Sequence, residues 1–134
     1  MLGLLENHRK ATTQWFKNSG DLIALLGNPG NELGASQYLK TIFGLVAGKV
    51  PSLHLEYTKR LIELILALID ESIISSAHNV SEGGLLVCLA ESCFTPKRLM
   101  GAELNFPLTY SKSAEYFSES LERIVISFNE NSLS

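Results

Sequence analysis

Hydrophobic positions along this chain follow two rhythms. From Leu53 to Ser72, Leu55, Leu61, Leu64, Ile65, Leu68 and Ile69 recur at three- and four-residue steps, while Glu56, Lys59, Arg60 and Glu63 fall on the other side. That pattern predicts an amphipathic helix. Ile62 and Leu66 widen its apolar stripe, so the helix is expected to pack on two sides, against a sheet and against another helix or chain. Elsewhere the period shortens. Asp21 to Leu26 is an apolar run between Gly20 and Gly27, expected as a buried strand. Gly101 to Phe106 sets Ala102, Leu104 and Phe106 against Glu103 and Asn105, the two-residue period of a half-buried strand. Arg123 to Phe128 and Ile73 to Ala77 read as two further strands.

The segments between these runs supply the punctuation. Residues 2–7 are expected as a short strand, followed by a polar stretch to Lys17 in which Trp15 and Phe16 anchor the chain on the core. Asn28-Pro29-Gly30-Asn31 is turn chemistry. Gly34-Ala35-Ser36 opens a helix through Phe43, and Gly44 to Pro51 ends it. A second glycine-opened helix runs from Gly83 to Cys93. Pro96-Lys97-Arg98 is a solvated basic loop, and Ser113 to Ser120 a helical turn. Strands interleaved with helices put the chain in the α/β or α+β class.

Composition narrows the function classes. At 134 residues the chain is one domain, and 46% hydrophobic against 19% charged content excludes disorder. A net charge of −3 leaves no footprint for nucleic acid, so any phosphate site has to be local. Cys88 and Cys93 lie five apart on one helix, an offset unsuited to a disulfide, and read as buried thiols of a reducing cytosol. No His or second Cys pair stands at metal-ligand spacing. No apolar run reaches the ~18 residues of a membrane span, and the N-terminus lacks a signal pattern, so the expected location is cytoplasmic.

The chemistry concentrates at Ser75-Ser76-Ala77-His78-Asn79-Val80-Ser81-Glu82-Gly83-Gly84-Leu85. Two glycines opening a helix leave backbone N–H groups uncovered, and the positive end of the helix suits a phosphate or carboxylate. Ser81 is the expected N-cap. Gly34-Ala35-Ser36 repeats that logic, giving two candidate anion-binding helix starts. The candidate phosphate-binding set is therefore Gly34, Ser36, His78, Ser81, Gly83 and Gly84, with no catalytic residue and no metal ligand assigned. The alternative is that Gly83 and Gly84 only let their helix pack closely on a neighbour. His78, between a strand and a glycine turn, fits a structural hydrogen-bonder as well as a phosphate contact.

The wording around the glycines is more specific. Ser76-Ala77-His78-Asn79-Val80-Ser81-Glu82-Gly83-Gly84-Leu85, followed by Leu89-Ala90-Glu91, resembles the S-A-H-D-V-S-x-G-G-L…L-A-E signature of the phosphoribosylformylglycinamidine synthase large component. Leu25-Leu26-Gly27 with Glu32-Leu33-Gly34-Ala35-Ser36-Gln37-Tyr38-Leu39 resembles that family's L-L-G…E-L-G-G-S-E-Y-L. Tyr116-Phe117-Ser118-Glu119-Ser120-Leu121-Glu122-Arg123 is similar to its L-F-G-E-S-Q-x-R, and Gly3-Leu4-Leu5-Glu6-Asn7 fits the linker leading in. The blocks keep their order over residues 3–128.

The resemblance implies an α+β sandwich, a mixed sheet packed by helices, like the C-terminal half of aminoimidazole ribonucleotide synthetase. It implies residues 1–20 as linker and lead-in strand, and residues 21–134 as the domain, incomplete at its C-terminal end. The family uses ATP and Mg²⁺ to activate the amide oxygen of formylglycinamide ribonucleotide, and glutamine-derived ammonia then yields the amidine. The ATP- and Mg²⁺-binding segments have no counterpart here, so this segment is expected to supply a structural, phosphate-pocket half and to be inactive alone. Implied partners are the nucleotide-binding half of the same enzyme, a glutaminase subunit or domain, and a second copy through exposed apolar surface. Asn79 stands where the family has Asp, and Leu121 replaces its Gln. Two other readings stay open: a selenophosphate synthetase or thiamine-phosphate kinase type of the same superfamily, and a ligand-free interaction module.

Overall fold

The computed structural model describes residues 4–5, 7–96, 98–105, 107 and 109–133. Among the described residues three strands and four helices follow one another as β1 (Leu22–Leu26), α1 (Gln37–Phe43), α2 (Leu55–Asp70), β2 (Ile74–Asn79), α3 (Gly84–Cys93), α4 (Lys112–Phe117) and β3 (Ile124–Phe128). Short 3-10 turns at His8–Lys10 and Glu130–Leu133 flank them. The sheet has the order β1-β3-β2, antiparallel on both sides of β3. Leu22 pairs with Phe128 and Leu26 with Ile124; on the other edge Asn79 pairs with Ile124, and the register shifts between Ile74 and Ser76. Among the described residues the parallel component of the expected mixed sheet is confined to an isolated bridge, Thr13 to Ser76.

The core lies on one face of this sheet. β3 alternates, so Val125 and Ser127 face one way while Ile124, Ile126 and Phe128 face the other. On the Val125 side, α3 contributes Leu85, Cys88 and Leu89, and Phe16, Val80, Ile23, Leu25 and Met100 complete the cluster. Phe16 is 5% exposed, and its N–H donates to the Ser92 carbonyl, so Phe16 anchors the polar lead-in segment, while Trp15 is half-buried. α3 buries Gly84, Leu85, Cys88, Leu89 and Ser92, while Val87, Ala90 and Glu91 on its other side are exposed.

Two expectations need correction, and a third is met on one side within this chain. Gly101 to Phe106 forms no strand over residues 101–105; Phe106 lies outside the described residues. Alternation alone makes a strand only where an edge supplies backbone partners, and none is recorded for residues 101–105. The strand at residues 2–7 is not formed at Leu4, Leu5 or Asn7; residues 2, 3 and 6 lie outside the described set, as does Lys97 of the basic loop. Within this chain α2 is covered on one side only. Leu61 is buried, whereas Leu55, Ile62 and Leu66 stay 72%, 51% and 60% exposed. Their steps of seven and four residues place these three on one stripe.

Candidate functional site

The two glycine-opened helices start beside each other. Ser36 caps α1 from extended backbone (φ −74°, ψ 156°): its Oγ accepts from the Leu39 N–H at 3.3 Å and donates to the Leu33 carbonyl at 2.7 Å. α3 starts differently. Gly83 and Gly84 both take positive φ, +82° and +76°, and the Gly84 N–H returns to the Ser81 carbonyl at 3.1 Å. The chain turns on two left-handed residues, which only glycine adopts at no cost. The expected cap is therefore corrected: Gly83 is the N-cap residue, no side chain caps α3, and exposed Ser81 contributes only its carbonyl.

One carboxylate oxygen ties the two starts together. Glu119 Oε1 accepts from the Gln37 N–H at 2.7 Å and from the Gly83 N–H at 2.9 Å. Both are orphan donors of helix starts, where the aligned peptide dipoles favour negative charge. The segment that carries Glu119 is itself fixed. Arg123 Nε donates to the Ser120 carbonyl and Nη2 to that of Ser118, so one buried guanidinium brackets Glu119 from both sides. Ser120 Oγ accepts from the Glu32 N–H at 3.3 Å. Tyr38 of α1 stacks on Phe117 of α4, with ring centroids 4.9 Å apart and planes 9° from parallel.

The glycines are also packing positions. A Cβ on Gly84 would stand 2.7 Å from Phe117 Cα and 2.8 Å from the Ser118 carbonyl oxygen, and one on Gly34 would meet the Lys49 carbonyl at 2.0 Å. Of the sequence-derived set, Gly34, Ser36, Gly83 and Gly84 thus gather around the Glu119 junction. His78 does not. It lies along α3 toward the far end, with Nδ1 3.2 Å from Ser92 Oγ and Nε2 3.4 Å from a Glu91 carboxylate oxygen.

The neighbouring acid works the same way on a third helix. Glu122, at φ +65°, accepts from the His54 N–H at 2.7 Å and from Thr58 Oγ1 at 2.6 Å, which caps the start of α2. These hydrogen bonds, with a smaller contribution from the His54 ring, hold its carboxyl below the usual carboxylate range against an opposing effect of burial. Sequence reasoning missed Glu119, Glu122 and Arg123 as structural anions and their anchor. The available signal was electrostatic: several helix starts, none with an acidic cap in its own sequence, followed by a segment carrying two acids.

Chemically the junction seats one carboxylate oxygen on two helix-start N–H groups. Among the described residues no three His, Cys, Asp or Glu side chains cluster to hold a metal. An incoming phosphate would compete with Glu119 for the same two N–H groups.

Residues 18–133 match the family described as AIR synthase related protein, C-terminal domain. The phosphoribosylformylglycinamidine synthase subunit PurL of Caldanaerobacter subterraneus subsp. tengcongensis is 44% identical over 126 residues, 94% of this chain and 17% of that protein. The PurL subunit of a Thermoanaerobacter species is 43% identical over the same shares. In solved structures, Thermotoga maritima PurL complexed with FGAR superimposes with a TM-score of 0.71 over 93% of this chain and 22% of that one, at 18% identity. The chain thus spans about 17% of the length of the curated relatives it matches.

Proposed function

The chain belongs to the AIR synthase related protein C-terminal domain family, and from that premise we propose that it forms the second half of one repeat in a phosphoribosylformylglycinamidine synthase. In that role it is part of an ATP-dependent ligase that converts formylglycinamide ribonucleotide and glutamine-derived ammonia to the amidine in purine biosynthesis. Residues 21–134 are the domain and residues 1–20 the linker into it. The nucleotide-binding half of the enzyme and a glutaminase are its partners, and its location is the cytoplasm. Self-association through the exposed stripe of α2 belongs to the same reading.

The observation that supports this most is the Glu119 junction, since it joins residues from all three sequence blocks, Gln37, Gly83 and Glu119 itself, at one point. A role in shaping rather than catalysis fits the site. The donors that would cradle a phosphate are held by Glu119, and the residues present do not fit ATP with Mg²⁺, which needs carboxylates free to bind the metal. That chemistry belongs to the other half. Gly34, Ser36, Ser81, Gly83 and Gly84 shape the wall facing it, with His78 bracing the strand behind.

The test is complementation. A PurL subunit lacking the matching segment, mixed with this purified chain, regains ammonia-dependent amidine formation; no recovery alongside a verified complex refutes the assignment. The packing of Gly34 and Gly84 against backbone favours one second reading, a ligand-free interaction module. Isothermal titration of the chain–PurL complex with ADP and phosphate separates the two: heat at millimolar ligand that the complex gives and the truncated subunit does not supports the pocket, and none supports the module.

A further inference from the structure

Arg123 is the largest of the fully buried side chains, at 1% exposure. No ion pair to it is formed among the described residues, and two of its nitrogens bond only to carbonyls. A guanidinium stays charged in proteins, so its burial leaves a cation without a counter-charge, a costly arrangement that structures ordinarily resolve by pairing. Its Nη1 has no partner among the described residues, and neither does the Ser118 hydroxyl.

These two groups converge on one place. A Cβ built on Gly30 would stand 2.0 Å from Ser118 Oγ and 2.4 Å from Arg123 Nη1. Gly30 is buried while Asn28, Pro29 and Asn31 around it are exposed, so the tip of a surface turn covers both donors. Beside the turn opens a cavity of about 1090 Å³, walled by Pro29, Gly30 and Arg123 at one end and by Leu25, Leu85 and Val125 along the sheet face. Asp21, Glu103 and Glu115 also line it, and Arg98, its other cation, is exposed. An acid entering the cavity is repelled by those carboxylates and drawn to the Arg123 end.

We infer that Gly30 is the lid of a carboxylate site whose donors are Arg123 Nη1 and Ser118 Oγ, and that the cavity takes the apolar tail of a small monocarboxylic acid. The donor count selects the ligand. Two donors serve the two oxygens of a carboxylate, whereas a phosphate brings three oxygens and more negative charge than one guanidinium neutralises. This inference does not rest on the synthase assignment.

Titration of the ¹⁵N-labelled chain with sodium hexanoate, hexanol and inorganic phosphate tests it. Hexanoate shifts the Gly30 amide and Arg123 Nε signals with millimolar affinity, while hexanol and phosphate leave them in place. Gly30→Ala, whose Cβ falls 2.0 Å from Ser118 Oγ and 2.4 Å from Arg123 Nη1, crowds both donors and binds hexanoate about tenfold more weakly, a loss of about 1.4 kcal/mol. Ser118→Ala, which removes one donor without adding bulk, binds it several-fold more weakly and serves where Gly30→Ala does not fold. Hexanol binding as well as hexanoate, phosphate shifting the two signals, or no response at Gly30 each overturn the proposal. So does an unchanged affinity in Ser118→Ala.

Discussion

Replacing Gln37 by proline deletes the N–H that Glu119 accepts, which isolates one half of the Glu119 bond. Gln37 is the first residue of α1, where proline is well accommodated because its missing N–H is an orphan in any helix. The preceding residue must be extended before a proline, and Ser36 already is, at φ −74° and ψ 156°. Gln37→Pro therefore removes one donor of a charge-assisted bond worth about 1.5–3 kcal/mol and returns about 0.4–1 kcal/mol by restricting the unfolded chain. The net expected loss is about 1–2 kcal/mol. Glu119→Ala strips the acceptor from both N–H groups, of Gln37 and Gly83, and is expected to cost about 3 kcal/mol. Urea denaturation of the two single variants and the double variant gives a cycle in which the proline entropy cancels. A coupling of about 1–2 kcal/mol is expected. A coupling below about 0.3 kcal/mol would mean that the two positions act independently, and the carboxylate would not be the tie between α1 and α3.

Further perturbations probe the rest of the structure. Gly84→Ala combines a left-handed φ of +76° with contacts below 3.0 Å to Phe117 and Ser118, and is expected to cost about 3 kcal/mol by chemical denaturation. Gly20→Ala, at φ +89° with nothing within 4 Å, should cost only the ~1 kcal/mol of the backbone conformation; equal losses would refute the close approach at Gly84. The folded-state pKa of Glu122 is depressed, so its contribution is full above the unfolded value and fades as pH falls through the folded one. Stability of the wild type is expected to drop more steeply below pH 4.5 than that of Glu122→Gln, and parallel pH profiles would exclude the cap on α2. Burial pushes the Cys88 thiol up to about 12, so iodoacetamide should alkylate Cys93 first in the folded protein and reach Cys88 only through unfolding. Mass spectrometry showing equal rates would refute its enclosure.

The pattern of apolar positions was enough to locate β1, α1, α2, β2, α3 and β3, and glycine marks the edges of β1, α1 and α3. It failed at Gly101 to Asn105, where the alternation is present and the partner edge is not. It also misplaced the cap of α3. A serine two residues before Gly83 has the right chemistry, yet two successive left-handed glycines swing the chain so that only the Ser81 carbonyl reaches back. The junction was half legible. Glycine-lined helix starts announced a need for negative charge, but the acid that meets it lies 36 residues from Gly83 and 82 from Gln37. Nothing in local spacing reports such a pairing. Arg123 was hidden for the converse reason, since a charged residue at a strand start reads as solvent-facing until the turn at Gly30 closes over it.

The middle strand of the sheet is the last one in the chain. Among the described residues β1 and β2 each pair in the sheet with β3, so until Ile124–Phe128 leaves the ribosome neither has that ladder partner. Both wait through the synthesis of about a hundred and about fifty residues respectively, several seconds at about 5–20 residues per second. During that interval the nascent chain holds helices without a floor to rest on. Any stop codon ahead of Ile124 therefore leaves more than a shortened domain: it leaves two strands with no ladder between them, and a polypeptide exposed to chaperones and proteases rather than one that folds.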